Sequence, residues 1–149
     1  MCSSSESCAP KQGSARIGRL IMQLKRLERH PHQFGAAGCL TPSEIHTIDA
    51  IGVNGRILMS ELAAHLGVTK GAVTQLISRL EAKDCVQRTP HTTDNRATLV
   101  SLTEKGRQAY LAHEQLNRQF YDKLSAQLTA QEIAIFEKCI DTFCEVLKK

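Results

Sequence analysis

The sequence predicts a mainly α chain with one small β-hairpin, an α+β class, and three observations lead there. Apolar residues recur at helical spacing along most of the chain. A Thr-x-x-Glu capping signature opens a helix at Thr41 and again at Thr129. The period switches from helical to alternating only once, after Asp84. The bulk numbers agree, since 149 residues suit one ordinary domain and 42% hydrophobic with 23% charged residues fits a soluble globular class. No apolar run approaches the roughly 20 residues that cross a bilayer. Met1 to Lys11 is rich in Ser and Cys with no apolar h-region, so no secretory signal is expected and the cytoplasm is the default.

Ile17, Leu20, Ile21, Leu24 and Leu27 mark a first amphipathic helix, expected to stop near His30-Pro31. Residues 1–13 before it read as a flexible tail. Gly35, Ala36, Ala37 and Gly38 make 31–40 a loop. Thr41-Pro42-Ser43-Glu44 then combines an N-cap, a proline at the first helical position and a glutamate placed to close a capping box. That second helix buries Ile45, Ile48 and Ile51 and ends at Gly52 or Gly55.

Ser60 is placed to cap a short third helix with Leu62, Ala63 and Leu66, which Gly67 ends. Thr69 caps a fourth, with Val73, Leu76, Ile77 and Leu80 on one face. Cys85–Thr89 and Ala97–Leu102 read as two short strands joined by the polar turn from His91 to Arg96. Thr103 caps a long fifth helix, and Thr129-Ala130-Gln131-Glu132 opens a sixth with a seam of Ile133, Phe136, Ile140, Phe143 and Leu147.

The order helix, short helix, tight turn, helix, hairpin is that of a winged helix-turn-helix. Leu66-Gly67-Val68 is the turn, where glycine allows a backbone conformation other residues resist. The following helix exposes Thr69, Lys70, Gly71, Thr74, Gln75, Ser78 and Arg79, with Ser60 at the start of its partner. Such short, donor-rich side chains at a helix N-terminus suit a major groove, Gln75 matching an adenine edge and Lys70 or Arg79 a guanine or phosphate. At the hairpin tip the Asp94 carboxylate is placed to orient the Arg96 guanidinium toward a minor groove or phosphates, with Arg88 and His91 nearby. A net charge of +4 is mild, but between Lys11 and Arg29 the basic residues face only Glu28, leaving one end electropositive.

With these motifs the chain resembles the MarR family of bacterial regulators. The resemblance runs from Ile17 to Leu147 and rests on Ser60-Glu61-Leu62-Ala63, Leu66-Gly67-Val68-Thr69, Val73-Thr74-Gln75-Leu76-Ile77, Asp94-Asn95-Arg96 and Leu102-Thr103-Glu104-Lys105-Gly106. It implies one MarR-type domain over 14–149, with 41–103 the DNA-binding region and 14–33 and 104–149 a helical dimerisation region. It further implies a homodimeric repressor on a palindromic double-stranded operator, with half-sites about one helical turn, roughly 34 Å, apart. Two positions depart from the pattern. Asp84 stands where glycine is common, and aspartate tolerates the left-handed conformation better than most residues. Asn95 and Arg96 replace the two arginines many members carry after the wing aspartate.

Relatives of this kind respond to phenolic compounds, peroxides or metal ions. His46 and His113 match positions of a site in the zinc-sensing branch, making zinc or another divalent metal one candidate effector, although Asn117 replaces a further histidine. The six cysteines include no C-x-x-C pair, so neither a zinc ribbon nor a disulfide scaffold is indicated; Cys8 and Cys39 are the candidates for thiol sensing. A small organic ligand between the first, second and fifth helices is the third possibility. A winged-helix protein-association module is the competing class, and it would need neither Asp94, Arg96 nor the polar helix face. An enzyme is not expected: the chain shows no paired carboxylates, no nucleophile with a base and no Gly-rich phosphate loop.

Overall fold

A computed structural model describes the chain from residue 9 to residue 148. Its elements are α1 (Ala9–Leu27), β1 (His32–Gln33), a 3₁₀ turn (Gly35–Ala37), β2 (Cys39–Leu40), α2 (Pro42–Ile51), β3 (Ile57–Leu58), α3 (Met59–Leu66), α4 (Lys70–Ala82), β4 (Val86–Pro90), β5 (Thr98–Leu102), α5 (Glu104–Ser125) and α6 (Ala130–Leu147). The chain divides into two compact units, one running through Tyr110 and the other from Leu111 onward. Residues 9–13, expected to belong to a tail, are part of α1.

In the first unit, α2, α3 and α4 pack around a core that includes Leu40, Ile48, Leu62, Ile77, Leu80 and Val100, all fully buried. Removing this apolar surface from water is the main term holding the unit together. The capping signatures act as their chemistry dictates. Glu44 N–H donates to Thr41 Oγ1 at 3.2 Å while Thr41 N–H donates to Glu44 Oε2 at 2.9 Å, so two orphan donors of α2 are satisfied reciprocally. Thr69 Oγ1 accepts from Ala72 N–H at 3.2 Å, and Thr103 Oγ1 from Gly106 N–H at 3.1 Å. At α3 the expected cap is corrected. Leu58 is the N-cap rather than Ser60, and Glu61 reaches back to Leu58 N–H at 3.2 Å.

Two pieces of β-structure were not expected. The stretch 31–40 is a small hairpin around the 3₁₀ turn, pairing His32 with Leu40 and Gln33 with Cys39. The wing is three-stranded in the order β3-β5-β4, with Ile57 opposite Val100 on one side and Arg88 opposite Val100 on the other. Strands of two residues carry no readable alternation, so only the ladder reveals them.

In the second unit, Thr129 and Glu132 form the capping box that opens α6, with Thr129 N–H donating to Glu132 Oε2 at 2.8 Å. The Tyr121 hydroxyl of α5 donates to Glu137 of α6. No described residue of α6 is buried, and Ile135, Val146 and Leu147 are more than 60% exposed.

Candidate nucleic-acid interface

The turn between α3 and α4 depends on Gly67, whose φ of 65° and ψ of 32° lie in the left-handed region. Val68 N–H then returns to Ala63 O at 3.1 Å, and Thr69 caps α4 immediately afterwards. This sequence of events aims one face of α4 inward, burying Val73, Ile77 and Leu80, and leaves Lys70, Gly71, Thr74, Gln75, Ser78 and Arg79 exposed. A Cβ at Gly71 would meet only Thr69 Oγ1, at 4.0 Å, so packing does not require glycine there.

The exposed N-terminal half of α4 faces a cleft of about 480 Å³ shared with the start of α3 and the wing. Ser60, Lys70, Thr74, Arg88, Asp94 and Arg96, all singled out from the sequence, line it together. Met59 and Thr98 also line it and carried no readable signal. Gln75, Ser78 and Arg79 lie further along the same exposed helix surface, outside the cleft.

Two wing residues work differently from the expectation. Asp94 Oδ1 accepts from the backbone N–H of Arg96 at 2.9 Å, so the carboxylate shapes the turn rather than pairing with the guanidinium. Ala97 N–H donates to Asp94 O at 3.1 Å and closes the tip, while His91 Nδ1 accepts from Thr93 N–H at 3.3 Å. Arg88, partly exposed at the cleft, is held by α4: its Nη2 donates to Ser78 Oγ at 2.8 Å and its Nε lies 3.1 Å from Glu81 Oε2. It ties β4 to α4.

The end of α4 is held as firmly as its start. Asp84, the position where glycine was expected, has a φ of 58°, in the left-handed region that aspartate tolerates. Thr103 Oγ1 donates to Asp84 O at 2.6 Å and Thr103 N–H to Cys85 O at 3.0 Å, which joins the α4–β4 turn to the start of α5. Burial pushes the Cys85 thiol above its ordinary pKa against the nearby Lys105 and Lys83 charges, so this cysteine is poorly suited to thiolate chemistry.

The candidate effector residues lie on different elements. His46, on α2, places Nε2 3.1 Å from Glu28 Oε1; His113 lies on α5 in the second unit. Among the described residues no three His, Cys, Asp or Glu are grouped to hold a metal ion. Cys39 is an exposed free thiol on β2, and Cys8 lies outside the described residues. No helix among the described residues is long and apolar enough to cross a membrane.

A capped recognition helix, a glycine turn before it and a cation-lined cleft against a three-stranded wing define a winged helix-turn-helix DNA-binding protein. Comparison with known proteins identifies which kind. The MarR family model matches residues 40–97. The multiple antibiotic resistance protein MarR of Escherichia coli is 30% identical over 123 residues, covering 81% of this chain and 85% of that one. The transcriptional regulator AdcR of Streptococcus pyogenes is 30% identical over 133 residues, covering 84% and 88%. Among solved structures, Streptococcus pneumoniae FabT in complex with DNA superposes with a TM-score of 0.71 at 26% identity, over 94% of each chain. The chain belongs to the MarR family and is a DNA-binding transcriptional regulator, not an enzyme.

Proposed function

We propose that the protein is a homodimeric cytoplasmic repressor that binds a palindromic operator and is released by an effector. The observation that carries the dimer is the bare apolar surface of the terminal helices. On α1, Leu20, Leu24 and Leu27 are about half exposed at 50%, 50% and 55%, and on α6 Ile140 and Phe143 are exposed at 44% and 37%. Contiguous apolar faces of this kind mark association surfaces. In the second copy the same cleft recurs, which calls for two half-sites related by a twofold axis.

In each half-site, Ser60, Thr69, Lys70, Gly71, Thr74, Gln75, Ser78 and Arg79 approach one major groove, and Arg96 reaches the adjoining backbone or minor groove. Asp94 and Arg88 act by holding the wing and the helix in register. Sequencing of genomic fragments retained by the purified protein tests this reading, together with sedimentation of the free protein. An inverted repeat with half-sites about one turn apart is expected. A monomer on a single half-site overturns it.

A second reading makes a divalent metal such as zinc the effector, favoured by the contact between Glu28 and His46. Imidazole and carboxylate are both zinc donors. Zinc titration of the wild type and of His46→Ala is the test; equal stoichiometry and affinity removes this reading.

A further inference from the structure

Lys83 stands one residue beyond the last turn of the recognition helix α4, where a solvated side chain would be ordinary. Instead its Nζ donates to Glu44 Oε2 at 2.7 Å and to Cys39 O at 3.1 Å. Glu44 is only 2% exposed and lies in the first turn of α2, with its carboxylate already engaged by Thr41 N–H. Cys39 belongs to the β1–β2 hairpin. A single ammonium group thus gathers the end of α4, the start of α2 and the hairpin. A buried carboxylate keeps its charge only with a partner, so the contact is costly to break.

We propose that Lys83 is a positioning residue for DNA recognition: by holding Glu44 and the Cys39 carbonyl it sets the orientation in which α4 presents its reading face. The last turn of a helix fixes where its first turn points. Lys83 N–H donates to Arg79 O at 3.1 Å and Cys85 N–H to Leu80 O at 2.9 Å, so displacement of Lys83 passes directly into the helix backbone. Lys83 does not line the cleft, and its ammonium is engaged by Glu44 and the Cys39 carbonyl. Its effect on binding is therefore conformational and not electrostatic. The hairpin and α2 carry Cys39 and His46, so the same contact offers a route by which an event on either element reaches α4.

The inference rests on α4 being the DNA-reading element, and the experiment separates the two ideas. Affinity for a DNA fragment retained by the wild type is measured across a salt series, per folded molecule and well below the melting midpoint. The proteins are the wild type, Lys83→Met, Lys83→Met with Glu44→Gln, and Arg96→Ala. Lys83→Met leaves a buried carboxylate unpaired and is expected to be less stable, whereas the double substitution removes both charges. Both are expected to bind about tenfold more weakly with an unchanged salt slope, while Arg96→Ala lowers the slope by about one. Wild-type affinity in the double variant overturns the proposal, as does a reduced salt slope, which would make Lys83 a phosphate contact. If the wild type retains no DNA, the DNA-reading assignment of α4 fails instead.

Discussion

Arg88 of β4 donates through Nη2 to the Ser78 hydroxyl of α4 at 2.8 Å. With Glu81 beside Nε at 3.1 Å, the guanidinium spans a strand of the wing and successive turns of the recognition helix. A planar fork suits such bridging and an ammonium does not. The contact ties the wing to the helix. A base reader needs such a tie, because a small displacement of a donor costs much of its hydrogen bond.

Arg88→Ala and Ser78→Ala should be non-additive. In a double-mutant cycle on thermal stability their coupling is expected at about 0.5–1 kcal/mol, below the roughly 1.5–3 kcal/mol of a hydrogen bond to a charged group because both ends meet water. Arg88→Lys should retain less than half of that coupling. A coupling of zero would show that the bridge is not formed in solution.

Gly71 offers a test that separates folding from reading. Since nothing in the fold fills the space of its missing Cβ, Gly71→Ala should raise stability by up to about 1 kcal/mol through helix propensity. The same methyl group stands on the exposed first turn of α4, where DNA is proposed to approach. The melting midpoint should therefore rise while operator affinity falls. Unchanged affinity would place Gly71 outside the interface.

At the wing tip, Asp94→Ala and Arg96→Ala should fail in different ways. Loss of Arg96 removes a cation, so the salt dependence of binding should flatten by about one unit of slope. Loss of Asp94 removes the acceptor for Arg96 N–H and loosens the turn, so affinity should fall with the slope kept. Titrations at several salt concentrations distinguish the two, and identical slopes for both variants would contradict the assigned roles.

Glu44 makes stability depend on pH in a defined direction. Burial alone would raise its pKa, but the Lys83 hydrogen bond, the Thr41 backbone N–H and the Lys83 charge together bring it below 4.5. A depressed carboxylate stabilises fully above its unfolded pKa, and that contribution disappears as pH falls through the lower folded value. Glu44→Gln should therefore melt below wild type at pH 6, by roughly 2 kcal/mol, less than a fully buried pair because Lys83 is 37% exposed. The gap should close in acid, as the pH falls through that depressed folded value. A gap that persists there would assign the loss to packing rather than to charge.

Much of this molecule could be read along the chain because its signals are local. The Thr41, Thr69 and Thr129 caps, the turn at Gly67 and the left-handed tolerance of Asp84 each depend on residues a few positions apart. The face of α4 followed from a period set by helix geometry. What tertiary structure decided lies in contacts between distant positions. Lys83 meets Glu44 39 residues away, a pairing that spacing cannot encode. Arg88 looked like a free cation until the strand carried it against Ser78, and Asp94 looked like its neighbour's counter-ion until the turn offered a closer backbone donor. The strands at His32–Gln33, Cys39–Leu40 and Ile57–Leu58 are too short for any period and exist only through their partners. The sequence by itself determined which helices form and which face of α4 stays polar, because hydrogen-bond caps and amphipathic periods act over a single turn. The tertiary structure alone decided which polar groups remain available to a ligand, because availability depends on what the folded chain has already brought within reach.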